Sequence, residues 1–226
     1  MGDIPEQGVP EKSPFPLTEV DKRVLCQTDE EFKRHDWDNL KELIDSNQLV
    51  QMTRTPSELR RYMAWSRDTK AEYGSITAYM LEHRLPKAWG RPPFSPASTV
   101  PFADPSDYAV LINDWPYATE PGIVHIVVWT RTPIATTPGK GDMTAESRRL
   151  IRNFVQSFFI DQHPAGSRAD EGQETNVIWF KNWVALQSVR DLEHFHVFVR
   201  DVDDGVLERW TGQTPKRSAD GHHLSR

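Results

Sequence analysis

The chain has little of several features that usually narrow a protein's class. One of its 226 residues is a cysteine, Cys26, so no internal disulfide can form. Its longest nearly unbroken apolar run, from Gly122 to Trp129, is far shorter than the about 20 residues that a membrane-spanning helix needs. No N-terminal apolar stretch is typical of a signal peptide. From these absences we expect an intracellular protein without a membrane partner, located in the cytoplasm, with access to the nucleus left open.

An excess of positive charge is also missing. The formal net charge is −6, which gives no general attraction to the phosphate backbone of nucleic acid. We therefore expect no duplex nucleic acid partner. The sequence also lacks a P-loop, a Rossmann glycine motif and a paired Cys-x-x-Cys site, which excludes the classes of protein that these motifs define.

The apolar residues that are present are unevenly distributed. They make up 37% of the chain, below the usual roughly 45 to 50% of globular proteins, yet the chain has eight Trp and ten Phe. Residues 1–17 and 203–226 are polar and cannot bury enough surface to offset the entropy of ordering. We predict that both are disordered tails around a single domain at residues 18–202.

Helix signals dominate residues 18–90. Thr28-Asp-Glu-Glu31 has the capping-box pattern, which predicts a helix start ahead of Leu40 and Leu43. A second helix start is predicted at Thr55-Pro-Ser-Glu58, with Pro at the first helical position. Gly74 interrupts this helix, and a further helix ends before Pro86.

The periodicity changes after a proline-rich connector at residues 91–106. Several short segments are strand-like, and the apolar stripe from Leu150 to Phe159 predicts an amphipathic helix. The predicted strands are Tyr108–Ile112, Gly122–Thr130, Asn176–Lys181, Val184–Ser188 and a last strand that ends at Arg200. We predict an α+β fold, in which an antiparallel sheet with an amphipathic helix follows a helical N-terminal extension.

The last strand carries the strongest functional signal. Its period of two places His194, His196 and Phe198 on one side and Phe195, Val197 and Val199 on the other. We predict that the second set faces the hydrophobic core. The first set brings two imidazoles side by side, where they can bind a metal ion, accept a proton or attack a phosphorus atom.

Attack on phosphorus needs support from neighbouring groups. The second nitrogen of the imidazole must be held by an acceptor, which fixes the tautomer. The phosphoryl oxygens need hydrogen-bond donors. Candidate donors on the neighbouring segments are Asn182, Gln187, Ser188, Arg190 and Arg200. His125, Asp114 and Trp115 also have structural explanations, as a satisfied strand histidine, a turn residue and a loop anchor.

Taken in order, these segments resemble the histidine-triad superfamily over about residues 107–200. The resemblance rests on Asn113-Asp-Trp-Pro116, His125, the amphipathic helix, Gln187-Ser-Val189 and His194-Phe-His196. It implies that residues 107–202 form a histidine-triad-like sheet that binds a nucleotide or a nucleotide sugar.

The same resemblance implies a role for each matching residue. His196 would be the nucleophile that attacks the α-phosphate, and His194 the first residue of the triad. Asp114, next to Asn113, would contact the sugar, and Asn182 and Ser188 would lie near the phosphate. The chain departs from the family at Phe198, which stands where the third histidine is expected. It departs again at Gln187-Ser-Val189, which lies three residues farther from the first histidine than usual.

Over residues 30–202 the chain also resembles a fungal family named after an N-acetylglucosamine-induced protein. The segments that carry this resemblance are Tyr73-Gly-Ser75, Trp89-Gly90, Pro93-Phe-Ser-Pro96, Ile112-Asn-Asp-Trp-Pro-Tyr117, Asn182-Trp183 and Leu192-Glu-His-Phe-His196. This resemblance identifies relatives of the chain and implies a link to amino-sugar metabolism, but it does not imply a particular reaction.

Three hypotheses follow, from different classes. The first is a nucleotidyl hydrolase or transferase that forms a covalent nucleotidyl group on His196. The second is a nucleotide or sugar-nucleotide binding protein without turnover, which Phe198 motivates. The third is a zinc protein in which His194, His196 and His125 are ligands; the lack of a carboxylate or thiolate at ligand spacing disfavours it, so no cofactor is predicted. Substrate-binding candidates in the first two are Asn113, Asp114, Trp115, His125, Asn182, Gln187, Ser188 and Arg200.

Overall fold

The computed structural model describes residues 13–137, 142–164 and 175–215. The predicted tail residues 1–12 and 216–226 lie outside these ranges. Within them the fold is α+β, as predicted, with six α-helices and a four-stranded antiparallel sheet. The helices are α1 (Glu19–Leu25), α2 (Trp37–Asp45), α3 (Pro56–Tyr73), α4 (Ile76–His83), α5 (Ala145–Val155) and α6 (Asp204–Thr211). The strands are β1 (Tyr108–Ile112), β2 (Ile123–Thr130), β3 (Val177–Phe180) and β4 (Glu193–Arg200), in the order β1-β2-β4-β3.

The chain separates into two compact units. The first contains the described residues up to Ile76 together with Trp115–Glu120, and the second contains Thr77–Asp114 and the described residues from Pro121 onward. The sequence-based prediction places a connector at residues 91–106 inside one domain. In the structure that connector and α4 from Thr77 onward belong to the second unit, whereas the middle of the β1–β2 loop, Trp115–Glu120, belongs to the first.

The first unit is built around α3, where the sequence signals are confirmed. Thr55 accepts a hydrogen bond from the backbone N–H of Glu58, and Pro56 occupies the first turn. Gly74 ends the helix with φ at 79°, a backbone conformation that L side chains rarely adopt. The residues that share its predicted apolar face, Leu59, Tyr62, Met63 and Ser66, are buried.

The predicted helix start at Thr28 is wrong. The capping hydrogen bonds do form, from Thr28 N to Glu31 Oε2 at 2.9 Å and from Glu31 N to Thr28 Oγ1 at 3.3 Å. They close only a turn, and α2 begins at Trp37 behind a second cap, Asp36, which accepts from Asn39 N at 2.8 Å. A local capping motif specifies its own hydrogen bonds but does not by itself propagate a helix.

The sheet of the second unit buries one face against α5 and α6. The residues of β2 and β4 that point to this face are Val124, Ile126, Val128, Phe195, Val197 and Val199. They pack with Ile151, Phe154 and Val155 of α5 and with Leu207 and Trp210 of α6. A π-helical turn at Gln156–Ile160 extends α5 and buries Phe159 in the same core. The predicted β1–β2 pair and the amphipathic helix are confirmed.

The connector is anchored at its C-terminal end. Phe102 packs on Phe154 at 4.9 Å between ring centroids and against Phe195 at 5.5 Å. Asp107 is fully buried and accepts hydrogen bonds from the backbone N–H groups of Ala97 and Ser98 and from Arg131. Because these donors satisfy a carboxylate that has lost its water, they fix the connector to β1.

Residues 203–215, predicted to be part of a disordered tail, instead contain α6. Asp203 caps the helix, and Val206, Leu207 and Trp210 are buried. Just beyond it, Gln213 Oε1 accepts a hydrogen bond from the backbone N–H of Ile112 at 2.7 Å. The low apolar content of the segment was misleading because its few apolar residues all share one helical face.

The predicted strand at Val184–Ser188 is also wrong. Residues Val184–Leu186 form a 3₁₀ turn, with a hydrogen bond from Leu186 N to Trp183 O at 2.8 Å. Val184 is 52% exposed, so this apolar segment does not form a buried face. Among the described residues, no helix is both long and apolar enough to cross a membrane.

The packing of α6 predicts that Trp210→Ala destabilises the protein by about 3 to 5 kcal/mol, the usual cost of removing a large buried aromatic ring. Trp210 is 5% exposed and lies 5.1 Å from Phe159 between ring centroids. Urea denaturation measures the change. Trp183→Ala is the matched control, because Trp183 is 40% exposed, and it is expected to change stability by less than about 1 kcal/mol. Equal losses in the two variants would contradict the role of α6.

Candidate functional site

The predicted alternation along β4 is confirmed. Phe195, Val197 and Val199 belong to the core cluster beneath α5 and α6. His194 and His196 lie on the opposite face of the sheet, with 5% and 7% of their surface exposed. We call the side chains of His125, His194, His196 and Phe198 the histidine face.

Both ring nitrogens of His196 lie close to a polar group. Nδ1 is 3.0 Å from Nε2 of His125, and Nε2 is 3.2 Å from Nδ2 of Asn182. The ring of Phe180 lies nearly parallel to the imidazole, 4.9 Å away between centroids with an angle of 11°. The position and the plane of the ring are therefore both fixed.

His125 reaches this site from the neighbouring strand. It is 3% exposed and stands directly opposite Phe198 in the β2–β4 register, with 4.5 Å between the two ring centroids. The amide nitrogen of Asn113 lies 3.3 Å from its Nδ1. A third imidazole is thus present beside Phe198, although it belongs to β2 and not to β4.

The contacts of His196 allow the tautomer that nucleophilic attack requires. If Nδ1 carries the proton, it donates to Nε2 of His125, and Nε2 of His196 keeps a lone pair to which the Asn182 amide can donate. His125 then carries its own proton on Nδ1, on the side of Asn113, whose amide can turn to present its oxygen. Both rings remain neutral in this arrangement.

His194 is held separately. Its Nδ1 donates to the backbone carbonyl of Leu192 at 2.8 Å, and its ring packs on Trp129 at 4.5 Å. Burial lowers the pKa of the His194 imidazole to about 4; the Leu192 hydrogen bond opposes this, and the positive charge of Lys181 adds to it. His194 is therefore neutral near pH 7, with its proton on Nδ1 and a lone pair on Nε2.

The loop after β3 positions Asn182. The side chain of Gln187 donates from Nε2 to the backbone carbonyl of Asn182 at 2.8 Å, closing the segment around the 3₁₀ turn. Asn182 is 5% exposed. Gln187, a predicted substrate ligand, thus supports Asn182, while Ser188 is exposed on the same loop.

Other predicted site residues have different surroundings. Asp114 forms a bidentate ion pair with Arg84. Arg200 lies at the opposite end of β4 from His194, with Nε donating to Asn176 Oδ1 at 2.9 Å. Trp115 belongs to the first unit, where it packs on Trp65 at 5.3 Å. The structure brings together His194, His196, His125, Asn182 and Asn113, and it does not place Arg200 with them.

Sequence reasoning missed Arg84 and Phe180. Burial raises the pKa of the Asp114 carboxyl, and the charge and hydrogen bonds of Arg84 only partly oppose this. No motif marks Arg84, since it follows α4, about 30 residues before its partner in the chain. Phe180 carries a signal in retrospect, because it alternates with Asn182 at the end of a strand.

A metal centre would need several ligands that converge. In the ranges 13–137, 142–164 and 175–215, no group of three or more His, Cys, Asp or Glu side chains is arranged to hold a metal ion. The facing nitrogens of His125 and His196 are 3.0 Å apart, a hydrogen-bond distance that leaves no room for a metal ion between them.

The lowered pKa of His194 predicts a loss of stability in mild acid. The unfolded chain takes up a proton at this site as the pH falls through 6.5, whereas the folded chain does so only near 4. The contribution of neutral His194 to the free energy of unfolding is therefore fully present above pH 6.5. It is lost as the pH falls from 6.5 to 4, by about 3 kcal/mol in total. Urea denaturation of the wild type and of His194→Phe at several pH values isolates this loss. The variant should show a shallower decline; parallel curves would contradict the assignment.

Comparison with known proteins places the chain among relatives. It is 28% identical over 193 residues to the N-acetylglucosamine-induced protein 1 of Candida albicans, covering 76% of this chain and 70% of that protein. It is 29% identical over 171 residues to an uncharacterized protein of Saccharomyces cerevisiae, covering 75% and 81%. The crystal structure of a protein named HTC1 superposes with a TM-score of 0.55 at 26% identity, covering 74% of this chain and 85% of that one.

The family model described as a protein of unknown function (DUF3605) matches residues 36–200. This range includes every residue of the histidine face and extends over well more than half of the chain. The predicted membership in the fungal family named after an N-acetylglucosamine-induced protein agrees with this match and with the Candida relative. The chain belongs to the DUF3605 family.

Proposed function

We propose that the histidine face is a phosphate site of histidine-triad type, at which His196 attacks the phosphorus of a nucleotide or nucleotide sugar through Nε2. The observation that carries this proposal is the 3.0 Å contact between Nδ1 of His196 and Nε2 of His125. It supplies the held second nitrogen that an imidazole nucleophile requires.

The reaction has two steps. The lone pair on Nε2 of His196 forms a bond to phosphorus while the bond from phosphorus to the leaving oxygen breaks. The imidazole then carries a positive charge, which the hydrogen bond from Nδ1 to His125 stabilises. The oxygen of water, or of another acceptor hydroxyl, then attacks the same phosphorus and loses its proton to solvent, while the N–P bond breaks and returns its electron pair to Nε2, which restores neutral His196.

Two neighbours support this chemistry. The amide of Asn182, now 3.2 Å from Nε2, can donate to a phosphoryl oxygen once Nε2 is bonded to phosphorus. The stacked ring of Phe180 holds the imidazole plane, so the lone pair keeps one direction. His125 provides the polar group that Phe198 does not, since it stands opposite that residue in the register.

A second candidate function is nucleotide or sugar-nucleotide binding without turnover. Phe198 motivates it, because this buried apolar side chain stands where the superfamily has a third histidine. The name of the Candida relative mentions N-acetylglucosamine, which motivates including an N-acetylglucosamine nucleotide sugar among the ligands tested.

The nucleophile assignment predicts that His196→Gln lowers the release of nucleoside monophosphate on the order of 1000-fold or more. Purified protein is incubated with nucleotide sugars and dinucleoside polyphosphates labelled in the α-phosphate, and product and protein-bound label are both measured. Wild type should carry an acid-labile label that the variant lacks. His163→Gln is the matched control, because His163 is buried like His196, at 5% against 7% exposed, but its Nε2 contacts the backbone carbonyl of Arg200.

The outcomes separate the two functions. Equal turnover by wild type and His196→Gln would refute the nucleophile assignment. Tight binding without product in the wild type would favour the binding protein.

The role of His125 predicts a separate effect. His125→Phe removes the partner of Nδ1 and lets both neutral tautomers of His196 form, so kcat should fall about 100-fold or more with KM nearly unchanged. His125→Gln retains a hydrogen-bonding group and should recover part of the rate. Steady-state kinetics measures both; a change in KM alone would assign His125 to substrate binding instead.

A further inference from the structure

The histidine face is covered by a part of the chain other than α5 and α6. His125, His194 and His196 are each at most 7% exposed, and Phe198 beside them is fully buried. Helices α5 and α6 pack against the opposite face of the sheet. A molecule that binds at Nε2 of His196 can therefore reach it only if the covering element moves.

The segment that contains α4 has buried apolar side chains outside the core of α5 and α6. From Thr77 onward α4 belongs to the same compact unit as the sheet. Met80 of α4 is buried, as are Leu85 and Trp89 just after it. None of the three is part of the core cluster that packs on α5 and α6.

The first turn of α4 is anchored to the segment that leads into β4. Thr77 Oγ1 donates a hydrogen bond to Asp191 Oδ2 at 3.0 Å. Asp191 precedes His194 by three residues, and the carbonyl of the intervening Leu192 accepts from His194 Nδ1 at 2.8 Å. This anchor is therefore at the end of the histidine face where His194 lies.

The residue that follows α4 is anchored to the end of β1. Arg84 donates from Nε to Asp114 Oδ2 at 2.7 Å and from Nη2 to Asp114 Oδ1 at 2.6 Å. Asp114 follows Asn113, whose backbone N–H donates to the carbonyl of His125 at 2.8 Å. This second anchor is at the end of the face where His125 lies.

The two anchors thus lie at opposite ends of the histidine face. In the β2–β4 register His194 pairs with Trp129 and Phe198 pairs with His125, so His196 lies between the two ends. The face extends about 13 Å along β4 from His194 to Phe198. The backbone of α4 rises about 10 Å from Thr77 to Arg84, and the anchoring side chains add the rest of the reach.

We infer that α4 is a lid over the histidine face, held closed by the Thr77–Asp191 and Arg84–Asp114 contacts, and that its opening admits a ligand to Nε2 of His196. The inference concerns access to the face. It applies equally to an enzyme and to a binding protein.

Both anchors are of a kind that water can replace. Asp191 is exposed, and the side chains of Arg84 and Asp114 are each 23% exposed, so either contact can be exchanged for contacts with solvent at a modest cost. Burial of Met80 favours the closed position. Trp89 keeps the chain after α4 attached to the connector, because its Nε1 donates to the carbonyl of Ser106 at 2.8 Å. Opening is therefore a local event in a folded unit.

The test measures how fast diethyl pyrocarbonate, which acylates neutral imidazole nitrogens, modifies each histidine of the full chain. Mass spectrometry gives the rate at each position. Thr77→Val and Arg84→Gln should each raise the rates at His194 and His196 about 10-fold or more, because each removes a hydrogen bond to a carboxylate that holds the lid closed.

Two matched variants control for the substitutions themselves. Thr77→Ser keeps the hydroxyl group, and Arg149→Gln removes an exposed ion pair with Glu146 on α5. In both variants His194 and His196 should react as in the wild type. Thr77→Val retains the shape of the side chain, so it tests the lid even if Arg84→Gln does not fold, which thermal denaturation shows.

His163 is an internal control for general loosening of the fold. It is 5% exposed, and its Nε2 contacts the backbone carbonyl of Arg200, so its rate should not change in the lid variants. Wild-type rates at His194 and His196 in Thr77→Val would overturn the inference. An equal rise at His163 would also overturn it, because the whole unit and not α4 would then be opening.

The fate of the lid is separate from that of the nucleophile. If the lid variants expose His194 and His196 while His196→Gln releases nucleoside monophosphate as fast as the wild type, the lid stands and the proposed function fails. If the modification rates do not change while His196→Gln is inactive, the lid fails and the nucleophile stands.

Discussion

The antiparallel pairing of β2 with β4 is the constraint on which the second unit depends. Side chains alternate along both strands, so the register decides at once which residues enter the core and which form the histidine face. A slip of one residue would send Phe195 and Val197 away from α5 and would bring His194 and His196 beneath it. The apolar residues on one face therefore hold the imidazoles of the other face in register.

Burying three imidazoles on one face is costly unless each finds a partner. The cost is reduced in two ways. His194 stays neutral and donates to a backbone carbonyl, and His125 and His196 bond to each other, so each helps to satisfy the other. Such a pair is sensitive to any change in proton count, since adding one proton to the pair introduces a charge in a place of low polarity. A residue whose charge changes during a reaction can make use of such sensitivity to proton count.

Much of the fold could be predicted from the sequence because the signals for it are local. The cap at Thr55, the stop at Gly74, the β1–β2 pair and the two faces of β4 all follow from residues close in the chain. The failures involve partners distant in the chain. Nothing local shows that Trp210 packs on Phe159, or that Val184 lacks a neighbour to bury it. At Thr28 the predicted capping hydrogen bonds form, but the residues that follow do not continue them into a helix.

The same difference between local signals and distant contacts applies to the candidate site. His194, His196, Asn113 and Asn182 could be found from strand periodicity and from the motifs beside it. The pairing of His125 with His196 depends on register between strands 71 residues apart, and the capture of Asp114 by Arg84 depends on where α4 ends. These contacts determine which nitrogen of His196 is hydrogen-bonded to His125 and which carboxylate forms an ion pair. The chemical role of a residue is therefore harder to predict than its presence in the site.

The hydrogen bond from Ile112 to Gln213 has a consequence for association between molecules. β1 is at the edge of the sheet, and an edge strand offers unpaired backbone groups to any extended segment that meets it. The side chain of Gln213 occupies one of these donors at 2.7 Å, at the end of the strand where a second sheet would begin to pair. The residues after α6 thus protect this edge from pairing with another strand. Their loss would leave the edge open to strand-to-strand aggregation.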